Sequence, residues 1–379
     1  MKKISARSRD VRGFFLYRQQ ELMTQDRMNM RNLTKGGETM QITWDEQYLR
    51  HDDPGGKTYY IIRRFHTEVG LFSNYIIFAG HIRYALANGW LPVIDMKHYP
   101  NAYLEPQLLG KVNAWEYYFC QPFNITLDEA YSGRNIILCD GIKHKSFPSG
   151  SMNYFNNVNN ELTEWRMLVK LGLLRIQPKM YESIMAEYNS LISKDDRVLG
   201  VKLRGTDYFA LKPKDHHIQP PIDFALNTIK NLKTQWKCNK IFLATEDKNI
   251  FQRFKEEFGD ECITSQMAYV DYDGKGFINA YNVTRENSLF LKGKEYLTQI
   301  VILSKCKNVA LCQCSGTVGL MMMTDGFEQA VVFDLGRYGA QIAPPFVIVI
   351  TRLSIKIKNS TVGADGGEFF LRSNRNLTG

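Results

Sequence analysis

Val198-Leu199-Gly200-Val201-Lys202-Leu203, followed by Arg204-Gly205-Thr206-Asp207-Tyr208, is the stretch on which the fold turns. A short, mostly apolar run that ends in polar turn residues reads as a strand covered on both faces, as in a parallel sheet. The residues beyond it repeat the signal. Ile222–Gln235 has helical periodicity and Lys240–Ala244 is a second short apolar run. Helical patterns at Asn249–Phe258 and Tyr296–Lys305, a strand at Asn308–Cys312, a helix at Gly316–Met323 and a strand at Ala330–Asp334 complete the series. Strands alternating with helices predict an α/β fold.

The same alternation occurs upstream. Tyr59–Ile62 reads as a buried strand, Leu71–Asn88 as a helix stopped by Gly89, and Trp90–Asp95 as the next strand, which together make a βαβ unit. Asn135–Asp140 is a further strand candidate. Residues 160–193 are strongly helical with a break near Gln177-Pro178. The charged run Lys194-Asp195-Asp196-Arg197 then links two α/β halves, which predicts two facing Rossmann-like domains. The expected division is an N-terminal extension (1–57), a first Rossmann-like domain (58–195), a second Rossmann-like domain (196–340) and a partly disordered tail (341–379) that includes an apolar strand-like run at Phe346–Ile350.

Composition narrows the function classes. The chain has 379 residues, 44% hydrophobic and 23% charged, which is ordinary globular usage with room for about two domains. Its seven cysteines are odd in number and scattered, without a paired CxxC, so they read as structural thiols in a reducing compartment. Met1-Lys2-Lys3 is basic but no apolar segment follows, and no apolar run is long enough to span a bilayer. The expectation is a cytoplasmic protein, with peripheral contact at the inner face of the plasma membrane. The net charge of +9 suits an anionic ligand or lipid surface. The charges are dispersed, without a recognition-helix or RNA-binding signature, so nucleic acid is not an expected partner.

Ligands of such sheets bind outside the carboxyl ends of the strands. Three strand ends carry suitable groups. After Val198–Leu203 comes Arg204, whose forked, permanently charged guanidinium fits phosphate oxygens; the alternative is an Arg–Asp pair with Asp207 that closes a turn. After Lys240–Ala244 come Thr245, Glu246 and Asp247, where a carboxylate can accept from ribose hydroxyls or a base edge, or can simply cap a helix. After Asn308–Cys312 come Ser315, Gly316 and Thr317, which open a helix whose N–H groups and hydroxyls suit an anion, or form a plain cap. Met321-Met322-Met323 reads as core packing.

In order and spacing, Arg204-Gly-Thr-Asp207, Ala244-Thr-Glu-Asp247 and Cys314-Ser-Gly-Thr-Val-Gly319 resemble the three motifs of the fucosyltransferase superfamily. That superfamily includes the α1,6-fucosyltransferases, the bacterial nodulation fucosyltransferase and the protein O-fucosyltransferases. The resemblance covers about residues 196–335. Upstream, Glu68–Tyr75 and Asn113–Glu116 resemble bacterial polysaccharide-locus proteins. The resemblance implies a GT-B-like fold, an inverting mechanism and no required metal or other cofactor. GDP-fucose is then the donor and a glycan or lipid-linked glycan the acceptor. It also implies that Arg204 meets the donor diphosphate, Asp247 the nucleoside, and Ser315 with Thr317 the phosphate oxygens. Lys202 stands where relatives often carry His, and Gly205 where the α1,6 enzymes carry a second Arg; Lys202 or Lys212 is the expected compensation.

Arg204, Asp207 and His216 are the expected catalytic residues. His216 lies in the polar stretch Leu211–Pro221, beside Asp215 and His217, where a base for the acceptor hydroxyl is needed. Lys202, Lys212, Glu246, Asp247, Ser315, Gly316 and Thr317 are expected to bind donor. Gly70 and Asn74, near Glu68, are expected to face the cleft from the acceptor side. Trp115–Phe119 reads as an aromatic core cluster. Asp271-Tyr272-Asp273 has the form of a metal-binding DxD but reads as a chance string, and the Asn32 and Asn376 sequons mean nothing without secretion. A non-catalytic nucleotide- or glycan-binding protein on the same fold is the rival reading. A phosphotransferase is weakened, because neither GxxxxGK[ST] nor GxGxxG occurs.

Overall fold

The computed structural model describes residues 34–35, 38–39, 50–51, 56–64, 68–139, 160–270, 272–339 and 346–353. Residues 1–47 form one unit, of which the described part is a short antiparallel pair, Thr34–Lys35 with Glu38–Thr39. The second unit, Tyr48–Gly379, holds two sheets.

The first sheet contains β1 (Arg50–His51), β2 (Thr58–Ile62), β3 (Leu91–Ile94) and β4 (Asn135–Leu138) in the order β1-β4-β2-β3. All neighbours are parallel except β1 with β4. Helix α1 (Leu71–Ala87) makes the crossover from β2 to β3, and α2 (Leu127–Ser132) precedes β4. Thr126 caps α2 by accepting from the Glu129 amide. Then come α3 (Asn160–Lys170) and α4 (Pro178–Leu191); Pro178 at the first position of α4 marks the expected break.

The second sheet contains β5 (Val198–Lys202), β6 (Lys240–Ala244), β7 (Cys262–Ile263), β8 (Asn308–Leu311), β9 (Phe327–Asp334) and β10 (Phe346–Leu353), in the order β10-β9-β8-β5-β6-β7. Between them lie α5 (Asp207–Leu211), α6 (Ile222–Gln235), α7 (Lys248–Phe258), α8 (Ser288–Lys305) and α9 (Ser315–Met323). From β5 the chain winds outward through β6 and β7, then returns to β8 on the other side of β5 and winds outward again. This is the doubly wound order, with its switch point between β5 and β8.

The expected α/β class with mainly parallel sheets is the observed one. The run expected at Phe346–Ile350 is longer than predicted and pairs antiparallel with β9, so this part of the expected tail is an edge strand of the sheet. Residues 354–379 lie outside the described residues. Alternate residues of the second sheet enter different cores. Leu199, Val201, Ile241, Leu243, Ala310, Val331 and Phe333 pack on α6 and α7 residues such as Ile229 and Phe254. Phe242, Ala244, Val309, Leu311, Ala330 and Val332 face the other way, into a cluster that also holds Tyr60, Ile62, Ile94 and Ile137 of the first sheet. One apolar layer thus runs across the boundary near residue 195. Helices α1 and α9 meet within it, where a Cβ on Gly319 would lie 2.0 Å from Phe72 Cδ1. Trp115, Tyr118 and Phe119 are fully buried there, with Trp115 and Phe119 stacked at 4.4 Å, as the core reading predicts. Met321 and Met322 are buried as well.

Candidate functional site

The carboxyl ends of β5, β6 and β8 meet at the switch point. Lys202, the last residue of β5, points to the side occupied by α8 and is 1% exposed. Its Nζ lies 3.4 Å from Glu246 Oε2 and 5.4 Å from the centre of the Tyr296 ring. Burial is the largest single influence and opposes its charge, but the Glu246 carboxylate together with the Cys314 and Cys312 sulfurs outweighs it and holds the amine above its ordinary pKa. Burial likewise raises Glu246, yet Lys202 and Arg204 bring it below the usual carboxylate range. The pair is therefore ionised.

Arg204 turns its guanidinium onto Asp207, with Nη2 to Oδ2 at 2.8 Å and to Oδ1 at 3.2 Å, and lies 4.3 Å from the centre of the Tyr208 ring. Asp207 is fully buried and also accepts from the Ile278 amide at 3.0 Å. Its carboxylate is thus committed to Arg204 and to the segment around Ile278, the geometry of a positioning residue. Arg204 Nε is buried without a partner. Thr206 has φ of 40°, a left-handed conformation that costs of order 1–3 kcal/mol and concentrates at functional sites.

The loop that carries Arg204 is held by the end of β6. Gly205 N–H donates to Glu246 Oε1 at 3.2 Å and Thr206 N–H to Asp247 Oδ2 at 2.8 Å. The other oxygen of Asp247 caps α7 by accepting from the Asn249 and Ile250 amides. Both carboxylates are therefore occupied by the protein's own backbone and by Lys202. A Cβ at residue 205 would stand 2.1 Å from Asp247 Oδ2, which explains the glycine and leaves no room for the arginine of the α1,6 pattern.

At the end of β8, Cys314 precedes α9 and supplies no side-chain cap. Among the described residues the N–H groups of Ser315 and Gly316 have no partner and neither has the half-buried Ser315 hydroxyl, whereas the Thr317 N–H donates to the Cys314 carbonyl. Thr317 is used differently: it is buried and donates to the Cys312 carbonyl. Gly316 lets α9 approach Tyr296, since a Cβ there would lie 2.2 Å from Tyr296 Oη. Burial keeps the Tyr296 phenol protonated. Tyr296 thereby joins Lys202 to the start of α9.

Two further groups border this centre. Tyr103 lies between β3 and β4 of the first sheet; it accepts from the Leu71 amide and donates to Asn279 Oδ1 at 3.1 Å. Asn279 lies one residue after Ile278, so Asp207, Asn279, Tyr103 and the start of α1 form one chain of contacts across the cleft. His216 is exposed, edge-on to Tyr208 at 5.4 Å and tilted against Phe277 at 6.4 Å.

The expected residues Lys202, Arg204, Asp207, Glu246, Asp247, Ser315 and Gly316 are thus brought together, with His216 at the margin. Lys212 is exposed, in a left-handed position that ends α5; its N–H donates to the Tyr208 carbonyl and its side chain makes no bond to the described residues. Gly70 caps α1, and Asn74 is buried with its Oδ1 on Arg64 Nη1. Sequence reasoning passed over Tyr208, Tyr296, Tyr103, Asn279 and Arg64, which become visible only when the two sheets are placed together. All seven cysteines are buried free thiols. Among the described residues no three His, Cys, Asp or Glu side chains are grouped to hold a metal; Asp271 lies outside them, and Asp273 is bonded to the Lys275 amide and Tyr281. No helix among the described residues is long and apolar enough to cross a membrane.

No protein-family model matches the chain, and no curated protein does. Similar solved structures include the NodZ α1,6-fucosyltransferase co-crystallised with GDP, which is 15% identical over 78% of this chain and 99% of that chain, with a TM-score of 0.48. POFUT1 in complex with GDP-fucose is 11% identical over 72% of this chain and 94% of that one, with a TM-score of 0.39. A mutant of Arabidopsis thaliana FUT1 in complex with GDP is 11% identical over 77% and 74%, with a TM-score of 0.41.

Proposed function

We propose that this chain is an inverting glycosyltransferase that moves fucose from GDP-fucose to a glycan or lipid-linked glycan acceptor in cell-surface polysaccharide synthesis. One observation carries the reading. Lys202, Arg204 and the open end of α9 converge at the switch point of a doubly wound sheet, where an anionic nucleotide belongs. Fucose and guanine follow from the resemblance of the three motifs.

In the reaction the bond between the sugar's anomeric carbon and the diphosphate oxygen breaks, and the diphosphate gains charge. In this reading Arg204 and the N–H groups of Ser315 and Gly316 meet that charge, with Lys202 behind them. Fixed donors of this kind stabilise the transition state without proton transfer. The acceptor oxygen attacks from the opposite face, which inverts the centre, and its proton passes to His216. The positive groups are the chain's own, so the reading needs no metal. Asp207 holds Arg204 in place. The net charge of +9 suits work against an anionic lipid surface, in the cytoplasm at the inner face of the plasma membrane.

The rival is a nucleotide- or glycan-binding protein without turnover. It draws on the pairing of both cations with carboxylates, Lys202 with Glu246 and Arg204 with Asp207. A thermal-shift screen of GDP, UDP, TDP and CMP, followed by a GDP-fucose turnover assay, tests both readings. GDP at about 100 times its dissociation constant adds roughly 2.7 kcal/mol of stability. Arg204→Ala should lower turnover about 10²–10³-fold, the usual cost of one transition-state donor, and should also lower stability, because it leaves the buried Asp207 carboxylate without its ion-pair partner. A shift with UDP alone refutes the fucose reading. GDP binding without turnover of GDP-fucose in the presence of glycan acceptors favours the rival.

A further inference from the structure

The first sheet has a switch point of its own. From β2 the chain crosses through α1 to β3 on one side and later reaches β4 on the other, so the crevice opens at the carboxyl ends of β2 and β4. Arg63 and Arg64 follow β2 directly. The Arg63 amide donates to Cys139 Sγ at 3.1 Å, at the end of β4, which places the two arginines at that crevice.

Arg64 is fixed in an unusual way. Its backbone N–H donates to Tyr99 Oη at 3.1 Å. Its Nη1 donates to Ser73 Oγ at 3.2 Å and to Asn74 Oδ1 at 3.3 Å, which uses both hydrogens of that nitrogen. Nε and Nη2 make no bond to the described residues, and neither is a buried orphan. Among the described residues no carboxylate lies within ion-pair distance of Arg64. Asp95, at the end of β3, is already bonded to His98, Tyr131 and the Lys97 amide. The first turn of α1 carries no acid either. Burial accordingly pulls Arg64 below its ordinary pKa, with the Tyr99 phenol opposing. A half-buried guanidinium is thus held by one nitrogen, with its Nε–Nη2 edge free. That edge takes a carboxylate through two parallel bonds. The turn that holds it also reaches the donor site, since Leu71 bonds Tyr103 and Phe72 meets Tyr296 edge-on at 5.3 Å.

We propose that Arg64 is the anion receptor of the acceptor subsite and that the acceptor glycan presents an acidic sugar, its carboxylate or phosphate meeting the Nε–Nη2 edge. The inference rests on the transferase reading above. The test uses the full chain saturated with GDP and titrated with glucuronic acid, glucose 1-phosphate and glucose, followed by saturation-transfer NMR. One or both acids should bind, and glucose should not; a response to glucuronic acid alone assigns a carboxylate, and to glucose 1-phosphate alone a phosphate. Arg64→Gln should weaken the acid at least tenfold with the GDP affinity unchanged. Arg64→Lys keeps the charge without the fork, and should recover phosphate better than carboxylate; it decides the matter if the Gln variant does not fold. The proposal is overturned if neither acid binds better than glucose, or if the variants bind the acids as the wild type does. If GDP fails to bind, the same titration without nucleotide separates the two ideas: Arg64-dependent acid binding keeps the anion site and removes the donor reading.

Discussion

Gly205→Ala should cost far more than a surface glycine normally does, and most of that cost should trace to one neighbour. The added Cβ would lie 2.1 Å from Asp247 Oδ2, 2.7 Å from Cγ and 2.9 Å from Cβ. Relief requires Asp247 to move, which forfeits the 2.8 Å bond from the Thr206 amide. Overpacking of this kind costs about 1–3 kcal/mol. A hydrogen bond to a charged group is worth about 1.5–3 kcal/mol. Their combined cost is of order 3 kcal/mol, since partial relaxation of one spares part of the other. In an Asp247→Ala background the two offending atoms are gone and only the Cβ contact remains, so the same substitution should cost less than about 1 kcal/mol. Asp247→Ala alone loses both the α7 cap, typically about 1 kcal/mol, and the Thr206 bond, about 1.5–3 kcal/mol. A four-protein cycle measured by urea unfolding should therefore show a coupling of about 2 kcal/mol. GDP affinity should fall in Gly205→Ala, because the displaced loop carries Arg204. Equal costs in the two backgrounds would refute the account of why residue 205 is glycine.

Two other perturbations follow from the packing. Gly319→Ala places a Cβ 2.0 Å from Phe72 Cδ1, and should destabilise by about 1–3 kcal/mol, partly recovered by Phe72→Leu, as read by thermal melts. His217 has both ring nitrogens buried without partners, and burial, aided by Arg337, pushes its pKa down to about 4. Between about pH 4 and 6.5 the unfolded chain binds more protons there than the native one, so this contribution is complete above 6.5 and lost as pH falls toward 4. The full step is at most about 3 kcal/mol. His217→Phe should flatten urea midpoints across that window, and an unchanged slope would contradict the assignment.

The doubly wound half was plain in the sequence because its strands are short, apolar and sharply ended. Ile222–Gln235 and Lys240–Ala244 stand in the structure with the expected bounds. Helix α8 begins at Ser288, earlier than the expected Tyr296, because tertiary packing extends it: Gly293 lies against Tyr118, whose hydroxyl bonds the Phe290 carbonyl. The run at Phe346–Ile350 was legible as strand-like but was assigned to the tail, because an edge strand gains its place only from a partner. Arg204 and Ser315 could be read from their places at strand ends. What the sequence left open was which of two uses each charge has, ligand contact or the Arg204–Asp207 pair and the Asp247 cap. Asp207 and Asp247 look like ligand groups in one dimension, and in three dimensions they grip a guanidinium and two backbone segments. Arg64 escaped notice for the converse reason: its bonds to Ser73 and Asn74 span a turn that no periodicity marks.

The apolar layer that joins the inner faces of both sheets has a consequence for how the molecule melts. Tyr60 and Ile62 belong to the same cluster as Phe242 and Val309, and Phe72 is wedged against Gly319. Neither sheet can lose its structure while the other keeps a sealed interior. Calorimetry should record a single endotherm rather than two, and a fragment that begins at residue 196 should aggregate rather than fold. The doubly wound half is therefore no detachable cassette, because one face of its sheet is sealed by its neighbour.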